Sequence, residues 1–294
     1  MPFDVKRFAA TVRISDGAWG TELQKKGLPA GGCPELWNDL NPASVEVVAR
    51  SYAEAGSDVI LTNTFGGNRY VLDQHGAADR VSELCEKGAA ISKRAAEGTG
   101  SKVFGSVGPT GQIVMMGEVS EEALAQAFVE SAEALEWGGV DAIVLETFNE
   151  LDEARIALKA VKQHTSLPVI VSMTFSSGPD QTATMMGNKP ADLAKMANKF
   201  GADGVGANCG VGPENYTKVA RMLRDATDLP IWIKANAGMP QIVNRKTVFP
   251  LGPDQYAEHV DRLIDAGANF IGGCCGTTPE HIAAVRAAVD RRTG

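Results

Sequence analysis

The sequence lacks several features that would place it outside the soluble globular class. No apolar run in its 294 residues approaches the length of a membrane-spanning helix, and the first residues lack the apolar segment of a secretory signal. There is no basic stripe, and the formal net charge is −8, so nucleic acid is not an expected partner. Five cysteines, an odd number, do not suggest an extracellular disulfide framework. We therefore expect a cytoplasmic protein with no membrane partner and with reduced thiols.

Low-complexity segments and Pro/Gly-rich linkers are also missing, so nothing divides the chain into two domains. What recurs is a short β-branched apolar run followed by a helical pattern. Such alternation predicts a parallel sheet covered by helices. The first run is not followed by a Gly-rich dinucleotide fingerprint, which argues against an open doubly wound sheet. The eight runs lie at residues 12–16, 58–65, 102–108, 141–148, 168–175, 202–209, 230–236 and 269–274.

Eight strand–helix units in one chain predict an α/β protein with a single closed (β/α)8 TIM barrel, which we assign to residues 1–294. Active sites of such barrels lie at the carboxyl ends of the strands, where the loops that follow converge. Polar residues and cysteines occur at six of those ends. They are Asp16, Thr62-Asn63-Thr64, Glu146-Thr147, Asn208-Cys209, Asn236 and Cys274-Cys275.

Three of these residues are cysteines from two separate strand ends, and they suggest a metal site. Cys209, Cys274 and Cys275 can converge at one mouth, and zinc prefers thiolates, with three protein ligands and one open position in catalytic sites. Adjacent strand residues face opposite sides, so the two neighbouring cysteines reach one metal only if the strand ends there. The surrounding glycines make such a bend accessible. Buried apolar packing and a redox disulfide remain open alternatives.

The motifs that contain these residues resemble the homocysteine S-methyltransferase family, most closely the homocysteine-binding barrel of cobalamin-dependent methionine synthases. The most specific match is the combination of Asn208-Cys-Gly210 with Gly272-Gly-Cys-Cys-Gly276. The resemblance covers essentially the whole chain. It also includes Asp16-Gly-Ala-Trp-Gly-Thr-Glu-Leu23, Thr62-Asn-Thr-Phe65, Gly108-Pro-Thr-Gly111, Leu145-Glu-Thr-Phe148 and Ala235-Asn-Ala-Gly238.

The resemblance implies an enzyme that transfers a methyl group to the thiol of L-homocysteine to give methionine. It implies that Cys209, Cys274 and Cys275 hold Zn²⁺ and that the substrate's sulfur becomes the fourth ligand. Further implied roles concern substrate binding. Asp16 and Glu146 would hold the substrate's ammonium group, backbone amides around Gly17 and Ala18 its carboxylate, Asn208 would flank the zinc, and Asn236 would occupy the open position without substrate.

The methyl donor is not specified by these residues. All eight units are used by one barrel, so we expect the donor to be a corrinoid carried by a separate protein. Betaine or S-methylmethionine is the alternative. Quaternary ammonium donors are usually held by aromatic cages. Betaine-using relatives carry an aromatic residue after the phenylalanine of the second-strand motif, but Phe65 is followed here by Gly66-Gly67. Trp19 and Trp37 remain as candidate cage residues.

Two further hypotheses belong to other classes. The same barrel can serve a corrinoid-linked methyltransferase that acts on a different thiol. A non-enzymatic zinc-binding or corrinoid-docking module is the third hypothesis, although an open metal position does not fit a purely structural role.

Overall fold

The computed structural model describes residues 3–243 and 246–293, and its centre is a barrel of eight parallel strands. The predicted domain limits, residues 1 and 294, lie outside the described residues. The barrel strands are β1 (Arg13–Ile14), β2 (Val59–Leu61), β3 (Lys102–Val107), β4 (Ala142–Phe148), β5 (Val169–Met173), β6 (Gly204–Asn208), β7 (Ile231–Ala235) and β10 (Phe270–Gly273). Each lies within one of the eight runs that the sequence predicts.

The strands run in the order β1-β10-β7-β6-β5-β4-β3-β2. A parallel bridge between Ser15 and Val59 then joins the first strand to β2, so the sheet is nearly closed. Between β7 and β10 an antiparallel hairpin, β8 (Gln241–Val243) with β9 (Lys246–Val248), projects from the strand ends. This hairpin is not among the predicted strands, because its sequence forms no long apolar run and residues 241–243, 247 and 248 are exposed.

Helices surround the barrel and connect successive strands. Ser120 illustrates their caps, since its side chain accepts a hydrogen bond from the Ala123 amide at 3.2 Å. The helices are α1 (Val5–Phe8), α2 (Gly20–Lys25), α3 (Trp37–Leu40), α4 (Pro42–Glu54), α5 (Arg69–Asp73), α6 (Val81–Ala96), α7 (Glu121–Trp137), α8 (Leu151–His164), α9 (Pro190–Phe200), α10 (Pro213–Ala226), α11 (Pro253–Ala257), α12 (Val260–Asp265) and α13 (Pro279–Thr293), with 3₁₀ turns at Ala78–Arg80 and Val114–Met116.

Two apolar cores support the site. The larger lies between the outer faces of the strands and the helices. The smaller fills the lower part of the barrel and includes Phe104, Ile170, Trp232 and Phe270, with α1 closing the bottom. A (β/α)8 barrel has this arrangement because inward and outward residues alternate along every strand. The predicted fold is therefore confirmed. No helix within the described residues has the length and apolar character that crossing a membrane requires.

Candidate metal and substrate site

A polar layer lies directly above the apolar filling of the barrel. Strand residues two positions apart face the same side, so each inward apolar residue is followed by an inward polar one. On β3 Phe104 is followed by Ser106, on β5 Ile170 by Ser172, and on β7 Trp232 by Lys234. Glu146 on β4 and Asn208 on β6 belong to the same layer, and all five polar residues are buried. The interior of the barrel is therefore apolar in its lower part and polar at the carboxyl ends of the strands. This polar layer forms the floor of the cavity described below.

Cys209 follows the inward residue Asn208 and is redirected by its backbone. Its φ is 63°, in the left-handed region that a non-glycine residue rarely adopts. Neighbouring contacts hold this conformation. The Cys209 amide donates to the Lys234 carbonyl at 3.0 Å, and the Tyr216 hydroxyl donates to the Cys209 carbonyl at 2.6 Å. The turn after β6 thus places the thiol beside the other two cysteines.

Cys274 and Cys275 lie just beyond the end of β10, as the sequence predicts. The Cys274 amide donates to the Ala235 carbonyl at 2.7 Å, and the Cys275 carbonyl accepts from the Ala237 amide at 3.0 Å. The chain then turns, with Gly276 at a φ of 81°. Because the strand has ended, the two adjacent side chains are no longer forced to opposite faces.

The three cysteines form a cluster whose dimensions fit a zinc ion. Their Sγ atoms lie within 4.8 Å of one another, and Cys209 Sγ is 3.9 Å from Cys275 Sγ. Thiolates at about 2.3 Å from a tetrahedral zinc lie about 3.8 Å apart. Asn236, at the end of the strand between those of the cysteines, has a buried Oδ1 without a hydrogen-bond partner in the described part of the chain. The donor set and this unpaired oxygen both fit a metal centre.

The electrostatics of the cluster also fit a bound cation. The hydrogen bond with Cys209 raises the pKa of Cys274 well above that of a free thiol, and burial adds to this, against an opposing contribution from Cys275. Three adjacent thiolates are unfavourable in a buried place without a positive charge between them. A divalent cation removes that penalty, because thiol ligands bind it in the deprotonated form.

A cavity of about 580 Å³ opens above this layer. Of the residues that the sequence predicts for the site, those that line it are Gly17, Ala18, Glu146, Cys209, Cys274 and Cys275. Asp16 and Asn208 are fully buried and form hydrogen bonds with lining residues. The structure therefore gathers eight of the nine predicted residues in or directly behind the wall of a single cavity, whereas Asn236 is buried at the end of β7 and does not line it.

Glu146 is the acidic side chain of the polar layer beneath the cavity. Its Oε1 accepts a hydrogen bond from Ser106 Oγ at 2.5 Å, whereas the nearest donor to Oε2 is Asn208 Nδ2 at 3.5 Å. Burial raises the pKa of Glu146, and the charge of Lys234 opposes that rise. Oε2 is thus an acceptor with capacity left for a ligand.

Asp16 is committed to other protein groups. Its Oδ2 accepts hydrogen bonds from Trp19 Nε1 and from the Leu61 amide, both at 2.8 Å. Its Oδ1 accepts from Lys234 Nζ at 2.5 Å, and both residues of this ion pair are buried. Burial alone would lower the pKa of Lys234, but Asp16 and Glu146 raise it, so the ammonium group stays charged.

The remaining predicted groups differ in whether they already form hydrogen bonds within the protein. The Ala18 amide donates to Thr277 Oγ1 at 3.1 Å, which leaves the Gly17 amide as the free donor of the two in the described chain. Asn208 Oδ1 accepts from the Thr147 amide at 2.9 Å and from Ser172 Oγ at 2.7 Å. Asn208 thereby supports the irregular carboxyl end of β4, directly after Glu146.

Lys234 is the site residue that the sequence analysis missed. A signal was present, since a lysine inside the apolar run Ile231-Trp-Ile-Lys-Ala235 lies on the same strand face as Trp232 and Asn236. Cys33 also lines the cavity, and its thiol donates to Glu35 Oε2 at 3.2 Å. Burial raises the pKa of Cys33 to about 12, and Glu35 adds to that effect.

Comparison with known proteins gives one consistent family. A family model described as homocysteine S-methyltransferase matches residues 13–289. The methionine synthase of Mycobacterium tuberculosis is 34% identical over 95% of this chain, and that of Mycobacterium leprae is 32% identical over 98%. The chain spans about a quarter of the length of these two relatives (24% and 25%).

Solved structures agree with the barrel. The homocysteine methyltransferase MmuM from Escherichia coli, in its oxidized form, superposes with a TM-score of 0.77 at 25% identity, covering 94% of this chain and 95% of MmuM. Its metallated form gives a TM-score of 0.78 at 24% identity, covering 94% of this chain and 96% of MmuM.

Proposed function

Because the chain belongs to the homocysteine S-methyltransferase family, we propose that it is a zinc-dependent enzyme that transfers a methyl group to the thiol of L-homocysteine. The observation that supports this proposal most directly is the convergence of Cys209, Cys274 and Cys275 beside one cavity, with their Sγ atoms within 4.8 Å of one another. We propose that residues 1–294 act as one homocysteine-binding domain. A site of reduced thiols suits the cytoplasm.

The three cysteines would hold the zinc and leave its fourth position to the homocysteine sulfur. When bound, zinc supplies one function, which is to lower the pKa of a coordinated thiol so that its sulfur is a thiolate near neutral pH. Asn236, with its unpaired Oδ1, is our candidate for the group that occupies the fourth position before substrate arrives. No general base would be needed once the metal has displaced the thiol proton, and no oxyanion hole either, because attack on a methyl group develops no oxyanion.

The cavity floor and one loop would orient the substrate. Glu146, whose Oε2 has a long hydrogen bond of 3.5 Å from Asn208 Nδ2, would accept hydrogen bonds from the substrate's ammonium group, and the negative charge of Asp16 lies behind the cavity wall. The Gly17 amide, which has no hydrogen-bond partner among the described residues, would donate to the substrate's carboxylate, with Ala18 beside it. Asn208 would keep Glu146 and Thr147 in place. These contacts hold the sulfur near the cysteines and fix its direction.

For the methyl donor, the surface around the mouth favours a corrinoid carried by another protein or domain. Ten of the thirteen exposed large apolar side chains in the described chain lie on the loops and the hairpin that follow β2, β3, β5 and β7. Such side chains, and methionines above all, are typical of docking surfaces. The ten are Phe65, Ile113, Met115, Met116, Met185, Met186, Met239, Ile242, Val243 and Val248.

A small methylated donor, betaine or S-methylmethionine, is the second candidate. The aromatic groups that would cage its cation are poorly placed for that task. Trp19 lines the cavity, but its Nε1 donates to Asp16, and Trp37 packs against the outer core. The alternative of a different acceptor thiol is less well supported, because Glu146 suits an amino-acid ammonium group.

The proposal is tested by a methyl-transfer assay with zinc-loaded protein, L-homocysteine and three donors: methylcobalamin, S-methylmethionine and betaine. We expect about one zinc per chain and methionine formation from methylcobalamin. Cys274→Ser should lose zinc and lower the transfer rate by about 100-fold or more, because a serine hydroxyl is a poor ligand for this metal.

Cys85→Ser is the matched control, since Cys85 is buried outside the cluster and its thiol donates to the Gly67 carbonyl at 3.3 Å, a bond that serine can retain. It should keep both zinc and activity. Full activity of a metal-free preparation would contradict zinc dependence. Faster transfer from S-methylmethionine or betaine would contradict the corrinoid donor alone.

A further inference from the structure

Lys234, the buried lysine of the cavity floor, has no role in the function proposed above. Lys234 is 2% exposed and lines the cavity, and its Nζ lies 5.8 Å from the centre of the Trp232 ring. Burying an ammonium group is costly unless it is paired, and even a paired one rarely adds stability over apolar residues. A positive charge at this position therefore needs an explanation from ligand binding.

The carboxylates of Asp16 and Glu146 differ in their access to the cavity and in their hydrogen bonds. Asp16 is fully buried, does not line the cavity and accepts three hydrogen bonds, from Trp19, Leu61 and Lys234. Glu146 lines the cavity and has Oε2 nearly free. A ligand entering from the mouth therefore meets Glu146 and Lys234, while Asp16 is reached only through its ion pair with Lys234.

The formal charges of these three groups add up to a single negative charge. Asp16 and Glu146 contribute two negative charges, and Lys234 cancels one of them. We propose that Lys234 is a specificity-determining residue: paired with Asp16, it limits the floor to one net negative charge, so that the floor complements a thiol with a single ammonium group held by Glu146. This inference rests on the proposed function, since it concerns how homocysteine is told apart from thiols without an amino group.

These charges predict that a second substitution, at Lys234, restores the preference for the ammonium group that a substitution at Asp16 removes. Asp16→Asn leaves the charge of Lys234 uncancelled beside the ammonium site, so the floor becomes neutral. Asp16→Asn combined with Lys234→Met returns the floor to one negative charge, that of Glu146, although the Asp16 carboxylate is gone. If Asp16 contacted the ammonium group directly, the second substitution would restore nothing.

Isothermal titration of zinc-loaded protein with L-homocysteine and with 4-mercaptobutanoate, which lacks the amino group, measures the preference for the ammonium group as a ratio of Kd values. Asp16→Asn should lower that ratio by about 10-fold or more, and the double variant should regain most of the loss. Removing one partner of a buried pair can unfold a protein. If Asp16→Asn does not fold, the double variant is compared with the wild-type protein. We expect its ratio of Kd values to lie within about 3-fold of the wild-type ratio.

Asp58→Asn serves as the matched control, because it breaks the Asp58–Arg286 ion pair (2.5 Å) outside the cavity and should leave the ratio unchanged. A double variant without ammonium preference would overturn the proposal. An equal loss of affinity for both thiols in the double variant would also overturn it. That result would show that Lys234 holds the carboxylate, which the two thiols share. If the wild-type protein shows no preference for homocysteine, the proposed substrate is wrong instead.

Discussion

At the scale of single residues, the site depends on side chains that the local backbone redirects or on buried groups that neighbours neutralise. Cys209 reaches the cluster only in a left-handed conformation, which costs about 1–2 kcal/mol for a non-glycine residue. The Tyr216 hydroxyl helps to offset that cost through its hydrogen bonds to the carbonyls of Asn208 and Cys209. Thr147, with a φ of 68°, is held similarly by Asn208. Strain of this kind concentrates at functional sites.

At this scale, the buried carboxyl group of Glu146 predicts how homocysteine binding depends on pH. It must be ionised to accept the substrate's ammonium group, and burial raises its pKa above the ordinary value. Lys234, Asp16 and Cys274 are the charged or titratable groups that act on it or on which it acts. Homocysteine binding should therefore weaken as the pH falls through that raised pKa. Glu146→Gln should remove this acid limb from the kcat/KM profile and raise KM about 10-fold or more.

Glu153→Gln is the control for that measurement. Glu153 is equally buried, and burial raises its pKa too, but it accepts hydrogen bonds from the Thr110 amide and hydroxyl outside the cavity. The acid limb should persist in this variant. An unchanged limb in Glu146→Gln would assign the titration to another group.

At the scale of elements, the turn after β10 depends on glycines that allow close packing. A Cβ on Gly273 would lie 2.2 Å from Thr277 Oγ1, and one on Gly272 would lie 2.0 Å from Ser15 Oγ. Thr277 Oγ1 in turn donates to the Cys274 carbonyl at 2.7 Å and accepts from the Ala18 amide. One hydroxyl therefore links the cysteine turn to the loop after β1.

Gly273→Ala should disturb that link. The added methyl group displaces Thr277, so we expect a loss of about 1–3 kcal/mol in the free energy of unfolding, as for other overpacked sites. Zinc content at a fixed chelator concentration should fall as well. Thermal unfolding and metal analysis measure the two effects.

Gly20→Ala is the comparison variant, since a Cβ there meets no atom within 4 Å and the residue begins α2. Its stability should be unchanged or slightly higher. If Gly273→Ala is as stable as Gly20→Ala and retains zinc, the packing at Thr277 does not support the metal site.

At the scale of the whole molecule, the chemistry and the proposed docking surface share one end of the barrel. In the described part of the chain, the apolar filling and α1 close the opposite end, and the cavity lies at the mouth. The apolar side chains of the mouth loops surround that entrance. A protein that brings the methyl group would have to cover the same loops.

Replacing part of this surface should separate donor use from acceptor binding. We expect Met115→Gln, Met116→Gln and Ile242→Gln together to lower kcat/KM about 10-fold for a methylcobalamin-carrying domain of a cobalamin-dependent methionine synthase. The Kd for homocysteine should stay the same, because none of the three residues lines the cavity.

Trp137→Gln is the control for the surface variant, as Trp137 is 67% exposed and ends α7 before the chain enters β4. It should transfer methyl groups at the wild-type rate. Equal rates for the triple variant and the control would mean that the donor does not dock on these loops.

The repeated apolar runs and their glycine-rich ends determined much of this protein without reference to a structure. Eight strands, their order along the chain and the set of residues at their carboxyl ends follow from local patterns, because alternation and strand length are properties of short segments. The three cysteines could be nominated as one group for the same reason. Each lies at a strand end, and all ends of a parallel barrel face one way.

Only the tertiary structure decided how those residues are used. The Asp16–Lys234 ion pair joins β7 to the loop after β1 across 218 positions of sequence, and no local pattern links the two residues. The same holds for the Thr277 hydroxyl and the Ala18 amide, 259 positions apart. Whether a carboxylate is open to a ligand or committed to a lysine depends on which strands become neighbours. That is set by the closure of the barrel and not by the sequence around the carboxylate.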